Sequence, residues 1–135
     1  MAKDFGNFTY TVNPDFDYTI DEKGNAFIAL RKIDWNNNGT EKLDIRKYYA
    51  SEEGEKMQKG VSFLTEDGPN ELTKILLETG YGDANEITDT IVNSRPDILG
   101  RICKIIASDP SLSDPELLKE FEDEEEYYDP EELIG

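Results

Sequence analysis

A chain of 135 residues with 31 Asp and Glu against 14 Lys and Arg carries a formal charge of −17, and 36% of its residues are apolar. That length and composition point to one modest domain with an appendage. No apolar run approaches membrane-spanning length, the start lacks a basic-then-apolar leader and Cys103 is the sole cysteine, so no membrane partner, no intrachain disulfide and a cytoplasmic location (nucleoid-associated, or host cytoplasm for a phage protein) are expected.

The first part of the chain reads as strands. Phe8–Val12 alternates and is rich in β-formers. Asn13-Pro14 interrupts it, which assigns any continuation through Tyr18 and Ile20 to an edge or a bulge. Lys23-Gly24-Asn25 is a turn, Ala26–Trp35 a strand, Asn36–Thr40 a turn and Glu41–Tyr49 a strand. Ser51–Gln58 reads as a polar loop and Lys59–Leu64 as the last strand. Helical signals follow. Thr65 or Asp67 can cap a helix with Pro69 in its first turn, Leu72, Ile75 and Leu76 form its stripe, and Gly80 stops it. Asp83 opens a second helix with Ile87, Ile91 and Val92, and Pro96 a third with Ile98, Leu99, Ile102, Cys103 and Ile106. Cys103, in this apolar run, reads as a buried inert thiol. From Asp109 onward an acidic stretch with three prolines reads as a disordered tail. The expected organisation is a strand-rich domain with one helix over residues 1–82, a helical extension over 83–108 and an acidic tail over 109–135.

Asn38-Gly39 is a strong type I′ hairpin signal. A two-residue loop there pairs Trp35 with Lys42, Ile33 with Asp44 and Arg31 with Arg46. Alternation then puts these six side chains on one face and Leu30, Lys32, Asp34, Leu43, Ile45 and Lys47 on the other. Leu30, Leu43 and Ile45 are natural partners for the first helix, which would leave the face of Arg31, Trp35, Lys42, Arg46 and Tyr48 open. Arg31 opposite Arg46 repels unless an anion lies between them, and Asp44 could partly relieve this, as could a phosphate.

Charge is unevenly spread. Asp109–Gly135 holds twelve acidic residues and one basic, whereas Phe27–Leu64 holds seven basic and six acidic. Binding depends on local potential, and net charge governs solubility and steering. A basic face carrying aromatic residues fits a single-strand platform, on which bases stack while cations follow phosphates. The competing reading is an ordinary solvated sheet face. Asp34, Asn36, Asn38 and Gly39 mimic the start of a calcium-binding EF-hand loop, but Ile45 occupies the bidentate glutamate position and Lys42 sits among the ligands, so calcium is not expected. The chain has no histidine, no phosphate-binding Gly loop and no nucleophile elbow. Neither an enzyme nor a cofactor or metal is expected.

Asp44-Ile45-Arg46-Lys47-Tyr48-Tyr49, then Glu55-Lys56-Met57-Gln58-Lys59-Gly60, then Val61–Leu64 and a helix, resemble the positive-cofactor-four family of single-stranded DNA-binding transcriptional coactivators in its bacterial or phage form. The resemblance covers roughly Phe8–Gly80. It implies an α+β fold: a four-stranded curved antiparallel sheet followed by a helix, paired into a homodimer through helices and strands. It also implies binding of single-stranded DNA with little sequence preference. The family's strand arginine maps to Arg46, its following aromatic to Tyr49, its lysine before the glycine to Lys59, and its second-strand basic residue to Arg31. The expected nucleic-acid-binding set is therefore Arg31, Lys32, Trp35, Lys42, Arg46, Tyr48, Tyr49, Lys56 and Lys59, with either Tyr48 or Tyr49 stacking on bases.

The tail runs Glu122–Glu126, Tyr127-Tyr128, Asp129-Pro130 and then Glu131-Glu132-Leu133-Ile134-Gly135. An acidic run with an apolar tip is similar to the tails of replication single-strand-binding proteins. It implies occupation of the basic face when DNA is absent, or docking of a replication or transcription protein. The alternative from another class is an acidic DNA mimic or adaptor that binds a DNA-handling protein and not DNA.

Overall fold

The structure, a computed structural model, describes residues 2–5 and 8–113. The expected disorder and docking role of the tail fall from residue 114 onward outside the described residues. The contacts divide the chain between Thr79 and Gly80.

The first unit is an antiparallel sheet in the order β1-β2-β3-β4-β5, followed by a helix. Four long strands, β2 (Phe8–Lys23), β3 (Ala26–Trp35), β4 (Glu41–Ser51) and β5 (Gly54–Ser62), form its body, and the short β1 (Ala2–Phe5) extends one edge. The class is α+β, as expected. β1 is an addition to the expected four strands. The expected polar loop at 51–58 is instead a tight turn at Glu52-Glu53, and the last strand starts at Gly54. Gly54 at φ 107 supplies the left-handed backbone this turn needs.

β2 runs through Asn13-Pro14 by bulging: Val12 pairs with Ile33 and Asp17 with Arg31, so four residues, 13–16, stand opposite Lys32 alone. β1 pairs only as far as Thr11, so Pro14 lies on a sheet edge where no ladder amide is missed.

The β3–β4 register differs by two residues from expectation. Arg31 faces Asp44, Ile33 faces Lys42, and Asp34 with Glu41 is the last pair. The consecutive left-handed pair in the turn is Asn36-Asn37, at φ 62 and 51, while of Asn38-Gly39 Gly39 alone is left-handed, at φ 87. Asp34 fixes this geometry, because its carboxylate accepts the Asn38 amide at 2.9 Å and the Gly39 amide at 3.0 Å. A shift of two preserves alternation, so the composition of the two faces is as expected.

Their roles are reversed. The face of Arg31, Ile33, Asp44 and Tyr48 is the inner one, where Tyr10, Ala29, Ile33, Tyr48 and Met57 form the core with Val12, Phe27 and Trp35 against it. The expectation that this face lies open is corrected. The helix α1 (Asp67–Glu78) does not cover the other face either. It buries no residue, and Ile75, Leu76 and Leu77 are exposed. Pro69 sits in its first turn and Gly80 at φ 87 follows its end.

The second unit holds α2 (Ala84–Ser94), α3 (Pro96–Ser108) and a 3-10 turn at Pro110–Ser113. Asp83 caps α2 by accepting the Glu86 amide at 3.0 Å, and Pro96 starts α3, both as the sequence signals indicate. Cys103 is exposed, which corrects its reading as a buried thiol. Among the described residues, no helix is long and apolar enough to cross a membrane.

Candidate nucleic-acid interface

The inner face is dominated by two arginine-centred networks. Arg31, only 6% exposed, is gripped from both sides. Its Nε donates to Asp17 Oδ1 at 2.7 Å, and its Nη1 and Nη2 donate to the two Glu55 oxygens at 2.9 and 3.0 Å. Asp17 comes from the strand beside it and Glu55 from β5, two strands away. Burial by itself would lower the Arg31 pKa, but the Glu55 and Asp17 carboxylates outweigh it and hold the guanidinium well above its ordinary value. Tyr48 lies beneath, its ring 4.4 Å from the Arg31 guanidinium carbon and stacked on Phe27 at 5.3 Å. Burial pushes the Tyr48 phenol up, against the opposing pull of Arg31.

Arg46 anchors the second network. It donates from Nε and Nη2 to Asp44 at 3.1 and 3.0 Å, and from Nη1 to the Gln58 carbonyl at 3.2 Å. Asp44 is fully buried. Its Oδ2 also accepts the Ser62 hydroxyl at 2.6 Å, and Ser62 Oγ in turn accepts Trp35 Nε1 at 2.9 Å. Of the two anions the sequence offered, Asp44 takes Arg46, and Asp17 and Glu55 take Arg31. Arg31, Arg46, Trp35 and Tyr48 are brought together as expected, but in an interior where both guanidinium groups are paired with carboxylates. Lys42 shares their strand parity and is exposed at the hairpin end.

The outer face is different. Lys47 and Tyr49 are two residues apart on β4, with the Lys47 ammonium 4.9 Å from the Tyr49 ring. Lys56 is the direct cross-strand partner of Tyr49. Lys59 falls in the bulge opposite Lys47, where β5 places Gln58 and Lys59 between the Arg46–Gly60 and Tyr48–Met57 pairs. On the β2 side, Lys32 sits 4.8 Å from the Phe16 ring, and Phe16 meets Tyr18 edge-on at 5.1 Å. Lys32, Lys47, Lys56 and Lys59 are exposed and make no ion pair among the described residues.

Of the nine expected site residues, Lys32, Tyr49, Lys56 and Lys59 therefore share the outer face, and five belong to the inner face by alternation. The sequence reading missed Lys47, Phe16 and Tyr18. Lys47 was visible in principle, since it has the parity of Tyr49. Phe16 and Tyr18 were hidden because the Asn13–Phe16 bulge breaks simple alternation. Comparison with known proteins finds no match among family models, curated proteins or solved structures.

Proposed function

We propose that the chain is a non-enzymatic protein that binds single-stranded DNA with little sequence preference through the outer face of its sheet, in replication, recombination or transcription. The observation that carries this reading is the cluster of Tyr49 with Lys47 beside it and Lys56 across from it. An aromatic ring among unpaired ammonium groups offers a base a stacking surface and its phosphates counter-charges. Lys32 with Phe16 repeats the arrangement toward β2. The sequence resemblance to single-stranded DNA-binding coactivators supports the same ligand, on the opposite face from that first expected. Homodimerisation through α1 accompanies this reading, because Ile75, Leu76 and Leu77 project from α1 exposed.

The second reading is an acidic adaptor for a DNA-handling protein. It is favoured by the neutralisation of Arg31 and Arg46 within the sheet and by the charge of −17. Fluorescence anisotropy with single- and double-stranded oligonucleotides at two salt concentrations separates the two. Salt-sensitive binding of oligo-dT, tighter than that of duplex, is the expected result. Absence of oligo-dT binding at low salt would sink the DNA-binding reading and leave the adaptor.

A further inference from the structure

Near the β2–β3 turn, two cross-strand rows lie side by side on the outer face. One runs Asp21, Ile28, Lys47, and the next runs Lys23, Ala26, Tyr49, Lys56. Ala26 is the small member of its row, between the long side chains of Lys23 and Tyr49. An open cleft of about 280 Å³ lies there, and Asp21, Lys23, Ala26, Ile28 and Lys47 are among its lining residues. Ligand sites start at roughly 300 Å³, so the cleft suits one small ring system.

The cleft is polarised. Asp21 stands on one rim and Lys47 on the other, with Ile28 of β3 between them. Two strand spacings set their backbones about 9–10 Å apart. Neither side chain belongs to an ion pair among the described residues. Asp21 Oδ1 accepts the Glu22 amide at 3.0 Å, which orients the carboxylate. The Lys47 ammonium is also 4.9 Å from the Tyr49 ring, so the cleft adjoins the proposed stacking surface.

An apolar floor of Ala26 and Ile28 suits a flat ring. A carboxylate at the rim repels a phosphate and accepts only from N–H or O–H groups. A nucleotide must therefore turn its base, and not its backbone, toward Asp21. Among the four DNA bases, guanine alone carries two adjacent donors on its Watson–Crick edge, N1–H and the N2 amino group. It can meet a carboxylate with two parallel bonds, and its O6 and N7 are acceptors for an ammonium. Thymine offers one donor between two carbonyl oxygens that a carboxylate repels. Adenine and cytosine offer one amino group beside an acceptor nitrogen.

We propose that this cleft is a guanine subsite next to Tyr49, in which Asp21 accepts from N1–H and the N2 amino group and Lys47 donates to O6 or N7. It rests on the reading of the outer face as a single-stranded DNA platform, and adds one discriminating position to a face otherwise indifferent to sequence.

Anisotropy with the full chain tests it, using oligo-dT and the same oligonucleotide with one central dG. The dG raises affinity about tenfold. Inosine in its place, which lacks the N2 amino group, loses most of that gain. Asp21→Asn keeps an oxygen for the Glu22 amide but has no second acceptor, so the ratio of dG to dT affinity falls to about one. Equal affinity of the parent for both oligonucleotides, or a dG preference that survives Asp21→Asn, overturns the subsite while the DNA-binding reading stands. Failure to bind either oligonucleotide at low salt sinks both.

Discussion

The guanidinium carbon of Arg46 lies 5.2 Å from the centroid of the Trp35 ring. The same two residues are also joined the long way round, since Trp35 Nε1 donates to Ser62 Oγ, Ser62 donates to Asp44, and Asp44 accepts two bonds from Arg46. Three strands are tied by this closed circuit, in which a buried carboxylate meets one cation and one hydroxyl. Breaking it from one side leaves a charge buried without its counter-ion.

Arg46→Glu therefore acts on the fold. It sets a second carboxylate against fully buried Asp44, and the expected loss is about 3–5 kcal/mol of unfolding free energy. Urea denaturation followed by Trp35 fluorescence reads it directly. A variant with parental stability and weakened DNA binding would return Arg46 to the interface.

The neighbouring tyrosines should behave oppositely. Tyr48→Ala removes a fully buried ring from between Arg31 and Phe27 and is expected to cost about 3–5 kcal/mol of stability. Tyr49→Ala is expected to leave most of the stability and to lose about 1–3 kcal/mol of affinity for oligo-dT. Paired denaturation and anisotropy measurements on both variants check the contrast, which fails if Tyr49→Ala binds like the parent.

Changing Lys47, Lys56 and Lys59 to Gln should flatten the salt dependence. Each phosphate that no longer meets a cation reduces the slope of log affinity against log salt by roughly 0.7 for a single strand. A triple variant with the parent slope would place the phosphates elsewhere.

Gly60 is required by close strand approach and not by backbone conformation. A Cβ built there would lie 2.5 Å from the Ile45 carbonyl oxygen and 2.6 Å from both Cα and Cβ of Arg46. Gly60→Ala is expected to push β5 away from β4 and cost about 1–3 kcal/mol. Thermal unfolding indistinguishable from the parent would contradict that strand spacing.

Asp97 gives the second unit an acid response. Its hydrogen bonds to Arg95 lower its pKa from 3.8 to about 2. A lowered folded-state value means that the contribution is present above the unfolded pKa, and is lost as the pH falls through the folded one. Between about pH 4 and 2, helical circular dichroism of the parent should fall toward that of Asp97→Asn, and parallel curves for the two would remove this role.

Local chemistry was legible in the sequence. The bounds of β3, the Asp83 cap, Pro96 at the start of α3 and the membership of the two hairpin faces all follow from residue type and alternation. Which face is interior was not legible, because that depends on partners distant in the chain. A hairpin with Arg31 and Asp44 pointing one way and Leu30 and Ile45 the other reads as polar-out by composition. Asp17 and Glu55, lying 14 and 24 residues from Arg31, make the polar side the buried one. The candidate interface moved with it: Tyr49, Lys56 and Lys59 stayed together, while Arg31 and Trp35 went inside.

The one-residue bulge in β5 acts as a phase shifter. Glu55 and Met57 point inward on one side of it, and Gly60 and Ser62 point inward on the other, an odd interval that strict alternation forbids. Deleting Gln58 would remove the extra residue, and plain alternation would then keep Met57, Gly60 and Ser62 on the inner face. Lys59 would stay on the outer surface, as the single residue opposite Lys47. The bulge thus adds a residue to the outer surface without altering the inner one, and natural variants of the chain should tolerate both substitution and loss at residue 58.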